Sequence, residues 1–221
     1  MEGRRAVAMA ALLAGWLSWG APAAAATRCE PTAQAGVERC VSGLPAATLK
    51  AMAQAQRASQ WCWAASISMV LRAWGVDVPQ EQIVRQHYGA AADLGVEGPV
   101  IDELLSRTWH DRLGRSVSVS AGALPPSASR MTLAAPEIVD DLDNERPAVL
   151  VLPRHAVVLV QLEYERSASG EVTVLDAQVL DPAQPQVLRR LRPQADIVHL
   201  TRVVEASAAD PEDPARVAAQ Q

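Results

Sequence analysis

The chain is predicted to take an α+β fold, an N-terminal helical part packed on a C-terminal antiparallel β-sheet. Two observations predict it. Between about residues 60 and 109, apolar positions recur at helical spacing and are punctuated by Gly75, Pro79, Gly89 and Pro99. From Ala148 onward, short valine- and leucine-rich runs are separated by turn residues. Helices first and strands afterwards imply two packed layers, and such layers can build a site from one residue on each side.

The first residues read as a processing segment. Arg4 and Arg5 form a basic start, Ala6 to Trp19 is apolar, and Ala24-Ala25-Ala26 supplies the small residues of a cleavage site. Residues 1–26 are therefore expected to be a secretory signal peptide, and the mature chain to be secreted or periplasmic. No later stretch has membrane-spanning length, so no integral membrane segment is expected after cleavage. The remaining chain divides into a loop-rich lead-in over 27–50, one domain over 51–204, and a tail over 205–221. That tail is rich in Ala, Asp, Pro and Glu and is expected to be disordered.

Within the domain, the first helix begins near Gln60 or Trp61, with Ala64, Ala65, Ile67, Val70, Leu71 and Trp74 on its apolar side and Gly75 as its stop. A second starts near Pro79 and ends at His87-Tyr88-Gly89. A third follows Pro99, with Val100, Ile101, Leu104, Leu105 and Trp109 apolar. Ser116 to Ser120 alternates serine with valine and reads as a half-exposed strand. A proline- and serine-rich loop then runs to about Arg130, and a short helix covers Pro136–Asn144. Strands are expected at Ala148–Leu152, His155–Glu165, Glu171–Leu180 and Ile197–Val204, with Ser167-Ala168-Ser169-Gly170 as a hairpin connection.

The formal net charge is −5, and no basic block interrupts the sequence. That balance argues against nucleic acid or anionic membrane as a partner. No His/Cys/Asp spacing resembles a metal-ligand set, and no cofactor is expected. Three cysteines remain after the signal segment. An oxidising compartment favours pairing two of them, and Cys29 with Cys40 is the natural pair. Such a bridge would contribute about 2–3 kcal/mol on the chain-entropy model. Cys62 is then the odd thiol. Pairing of Cys62 with either neighbour stays open at the level of sequence, as does a role for it as a small buried apolar residue.

Gln56 stands six positions ahead of Cys62 in Gln56-Arg57-Ala58-Ser59-Gln60-Trp61-Cys62-Trp63-Ala64-Ala65, and Cys62 opens the apolar helix. Free N–H groups at a helix start favour a thiolate. A cysteine nucleophile also needs a base, an orienter for that base, and donors for an oxyanion. Of the four histidines, His155 opens the apolar strand His155-Ala156-Val157-Val158 and is the best candidate base. His87, His110 and His199 lack comparable context. Asp181, at the end of a strand and before Pro182, is the best orienting acid; Asp176 is a weaker competitor.

Gln56-x5-Cys62-Trp63-Ala64-Ala65, His155-Ala156-Val157-Val158 and Leu180-Asp181-Pro182 together resemble the bacterial papain-like cysteine peptidases. The likeness is to the short, prodomain-poor members, and covers about residues 50–204. It implies the papain-like fold, with Cys62 as nucleophile, His155 as general base and acid, and Asp181 as orienting residue. Gln56 would be the oxyanion-hole side chain and Trp63 would pack behind the nucleophile. The substrate implied is a peptide or protein. One departure is Pro153-Arg154 before the histidine, where that family usually has glycine. Arg154 could lower the pKa of the base, restrict access or bind a carboxylate. Two other functions fit the chain: a catalytically silent peptide-binding relative, or a cell-wall cysteine amidase.

Overall fold

The structure, a computed structural model, describes residues 27–124, 132–192 and 195–209. The expected signal segment lies outside the described residues, as do residues 210–221 of the expected tail and most of the proline- and serine-rich loop. The fold class is α+β, with a large antiparallel sheet and five helices among the described residues.

The lead-in is not the loop expected of it. Residues Arg28–Pro31 (β1) and Val37–Gly43 (β2) form an antiparallel hairpin, and Ala46–Met52 (α1) follows as a short helix. Cys29 and Cys40 are direct cross-strand partners and form the disulfide, which leaves Cys62 as a free cysteine. The hairpin is not legible because its strands are short and largely exposed, so no apolar alternation marks it.

Cys62–Ala73 (α2) is the central helix, with Trp63 to Leu71 all buried. Gln80–Tyr88 (α3) ends at Gly89, whose φ of 72° is the left-handed conformation that closes helices at little steric cost. Gly98–Leu105 (α4) carries its proline in the first turn, as expected, but stops before Trp109. Trp109 lies instead in the short strand Thr108–His110 (β3), paired with Ser116–Ala123 (β4). Pro136–Asp143 (α5) precedes the strand-rich half: Ala148–Leu152 (β5), His155–Ser167 (β6), Val172–Leu180 (β7), Leu188–Leu191 (β8) and His199–Ala208 (β9). The last strand runs four residues past the expected boundary at 204, pairing its extension with β4.

β6 organises the sheet. β7 lies along one edge, and β5 and then β2 follow each other along the other. From β5 the sheet continues through β9 and β4 to β3, while β8 extends it beyond β7. The N-terminal part thus contributes strands to the sheet as well as helices over it. Consecutive strand residues point to opposite faces. Thr201 bonds Asp102 of α4 whereas Arg202 bonds Asp141 of α5, so these helices cover opposite faces. α2 packs on β6 and β5, with α1, α3 and α4 around it. Covered on both sides, Ala156 to Val160 are all essentially inaccessible. His155 immediately precedes that rigid run, at the first position of β6. Close packing also fixes α4: a Cβ on Gly98 would stand 2.5 Å from the His199 side chain.

Candidate active site

Cys62 is the first residue of α2, where the opening N–H groups have no intrahelical acceptors. The residue before it, Trp61, supplies no side-chain cap. A carboxylate from the chain after α3 instead ties down the two residues ahead of Trp61. Asp93 accepts the Gln60 N–H at 2.7 Å and the Ser59 hydroxyl at 2.8 Å, and these bonds hold its carboxyl below the usual range. Two buried indoles fasten the same segment. Trp61 Nε1 donates to the Ala92 carbonyl (2.8 Å) and Trp63 Nε1 to that of Leu94 (3.0 Å). Neither tryptophan presents a free aromatic face to solvent; Trp63 sits edge-on to the His87 and Tyr88 rings.

His155 reaches the same place from the β5–β6 turn. Its Nε2 lies 2.8 Å from Asp181 Oδ1, which leaves Nδ1 as the ring nitrogen available to the thiol. Burial pushes the Cys62 thiol up, but hydrogen bonds from His155 and from the Ala156 and Trp63 N–H groups, with the charge of the imidazole, bring it below its ordinary value. The imidazole moves the other way. The Cys62 partner raises it most, burial opposes, and Asp181 raises it further. Both shifts run toward thiolate and imidazolium, and the protons of so close a pair come off as properties of the pair. Both residues are partly exposed and hence reachable.

Asp181 is buried and fully engaged. Oδ1 also accepts the Ala183 N–H at 2.9 Å, and Oδ2 pairs with the Arg189 guanidinium from β8. The competing acid Asp176 pairs with Arg190 at 2.7 Å and takes no part. The other histidines are committed elsewhere: His199 to Asp102 (2.9 Å), His110 to Ser116 (2.9 Å), and His87 to the aromatic cluster. The three-residue grouping of Cys62, His155 and Asp181 is therefore brought together as the sequence expected.

Gln56 is tied to the chain beside Asp181, and its amide is already engaged. Its backbone N–H donates to the Pro182 carbonyl at 2.9 Å, tying its segment to the chain after Asp181. Its side-chain Nε2 donates to the Ala58 and Ser59 carbonyls at 3.0 and 2.9 Å, while Oε1 is buried without a partner. Two carbonyls fix the sense of the amide, since an oxygen there would face two acceptors. Both amide protons are therefore occupied. Gln56→Glu is expected to destabilise the fold by about 1–3 kcal/mol, more than Gln56→Ala, because an acceptor would replace the only donor between those carbonyls. Thermal melts of the two variants check the order.

Three supporting residues carried no sequence signal. Asp93 sits in an irregular segment, and Arg189 in a four-residue basic strand. Gln80 is buried at the start of α3; its Nε2 donates to Gln54 Oε1 (2.9 Å) and the Ala55 carbonyl (2.8 Å), and its Oε1 accepts the Arg57 N–H (3.0 Å). One amide thus brackets the segment that carries Gln56. The one compact Cys/Glu group among the described residues, Cys29, Glu38 and Cys40, has its sulfurs consumed by the disulfide and offers no metal site. No helix of the described residues is long and apolar enough to cross a membrane. No protein-family model matches the chain, and no curated protein matches it.

Proposed function

We propose that this protein is an exported papain-like cysteine peptidase that hydrolyses amide bonds through Cys62, His155 and Asp181. One observation carries the reading: His155 bridges a thiol held below its ordinary value and a buried carboxylate that fixes the ring. In that reaction the Cys62 thiolate attacks the amide carbon, forming the C–S bond and an oxyanion. His155 passes its proton to the leaving nitrogen as the C–N bond breaks. Water, deprotonated by the now neutral imidazole, cleaves the thioester and regenerates the pair. Asp181 holds the imidazole in orientation throughout and balances its charge. For Gln56 to donate to the oxyanion, its amide must leave the Ala58 and Ser59 carbonyls.

That engagement of Gln56 favours a second reading, a silent relative that binds peptides without cutting them. An epoxysuccinyl thiol probe separates the two. Under the peptidase reading the probe alkylates Cys62, located by mass spectrometry, in a bell-shaped pH profile. Its acid limb lies below the ordinary thiol value near 8.5, because the thiol is lowered. Its alkaline limb lies above the ordinary imidazole value near 6.5, because the imidazolium survives to higher pH. A single rise near the ordinary thiol value, with no peptide hydrolysed, would leave only the silent reading.

A further inference from the structure

Leu152 and His155 pair directly, so β5 and β6 are joined by a two-residue turn of Pro153 and Arg154. Two local rules are broken there. Two-residue hairpin turns favour conformations with positive φ at the first central residue, which proline cannot adopt. With proline first, a type II turn takes positive φ at the second, a position suited to glycine or asparagine. Arg154 occupies it at φ 62°. A side chain in that conformation is unfavourable, and such departures cluster at functional sites.

The exposed Arg154 side chain makes no ion pair or hydrogen bond among the described residues. Other arginines flanking the grouping are neutralised: Arg57 by Glu81, Arg189 by Asp181, and Arg190 by Asp176. Nor does Arg154 set the charge of the neighbouring imidazole, which answers to Cys62 and Asp181. An unspent, always-protonated guanidinium is therefore carried by the residue next in sequence to the proton donor. His155 must deliver its proton to the leaving nitrogen, so residues beside it flank the leaving half of the substrate.

Resting on the peptidase reading, we infer that Arg154 is a specificity-determining residue that binds a carboxylate on the leaving-group side of the scissile amide. Planar, bidentate pairing with a carboxylate is what the guanidinium fork suits. The carboxylate has two sources: an Asp or Glu side chain just after the cut, or the free C-terminus of a short leaving fragment.

Three sets of peptides of one acyl sequence test this with the reduced mature protein. One set has a neutral, C-terminally amidated leaving part, one an internal Asp in an amidated leaving part, and one a neutral leaving part ending in a free carboxylate. At least one carboxylate set is expected to exceed the neutral set in kcat/KM by about tenfold at low salt, with the excess shrinking as salt rises. Which set gains identifies the source. In Arg154→Asn, which tolerates positive φ, that ratio falls to near one; in Arg154→Lys it stays above one. Hydrolysis with no carboxylate preference, or a preference that survives Arg154→Asn, overturns the inference and leaves the peptidase reading intact. No hydrolysis of any set, with Cys62 unlabelled by the epoxysuccinyl probe, overturns both.

Discussion

His155→Ala is expected to lower kcat/KM on any peptide the parent cleaves by about 10⁴-fold or more. A triad histidine acts as a unit with its nucleophile, and its loss costs nearly as much as losing the whole grouping. The same variant should change the thiol directly. Without the imidazole, Cys62 loses both the hydrogen bond and the charge that bring it below its ordinary value, while the burial that pushes it up remains. Its alkylation rate by iodoacetamide should then rise with pH only near or above about 8.5, with no plateau in the acid range. The experiment compares rate against pH for parent and variant. An unchanged alkylation profile would mean that His155 does not govern the thiol, whatever the loss of activity.

Trp63→Ala is expected to be the most damaging single truncation near the site, costing about 3–5 kcal/mol of stability. The indole is buried at 2 % exposure, packs edge-on to His87 and Tyr88, and donates to the Leu94 carbonyl. Its removal leaves a cavity behind the nucleophile and frees one tie of the segment that holds Asp93. A lower denaturant midpoint with an unchanged slope is the expected signature. Trp63→Phe separates the two effects. Packing is largely kept, so the midpoint should fall much less, yet backbone amides of residues 90–97 should exchange faster because the tie is gone. Equal protection in parent and Trp63→Phe would show that the Leu94 bond does not restrain the segment.

How much of this was legible depended on whether residues announce themselves by pattern. α2 was legible because its buried positions repeat every three to four residues, and β5 because Ala148–Leu152 is a short apolar run between polar turns. Cys62, His155 and Asp181 each sit at an element's start or end, where periodicity meets a reactive side chain, and so could be picked out. The hairpin of β1 and β2 could not: its strands are short and largely exposed, with no apolar alternation. β8 is four residues, Leu188-Arg189-Arg190-Leu191, and basic at its centre, so neither the strand nor the Arg189 pairing with Asp181 left a trace. The amide bracket of Gln80 around residues 54–57 is a tertiary arrangement of side chains, and no spacing encodes it. Gln56 shows the opposite limit. Its offset from Cys62 singled it out, but no spacing encodes the carbonyls that occupy its amide.

The bond from the Gln56 N–H to the Pro182 carbonyl has a consequence for the newly made chain. It joins the segment leading to the thiol with the segment following the acid, and these are far apart in sequence. Contacts of such separation form late, once most of the chain has closed on itself. His155, too, comes from the far half of the sequence. If the chain is exported as proposed, it enters an oxidising compartment unfolded, with Cys62 as an ordinary, mostly protonated thiol, poorly nucleophilic at neutral pH. Cys29 and Cys40, eleven positions apart, are free to find each other first. On the peptidase reading, completion of the fold is what lowers the thiol, so Cys62 is least reactive while it is most exposed to mispairing.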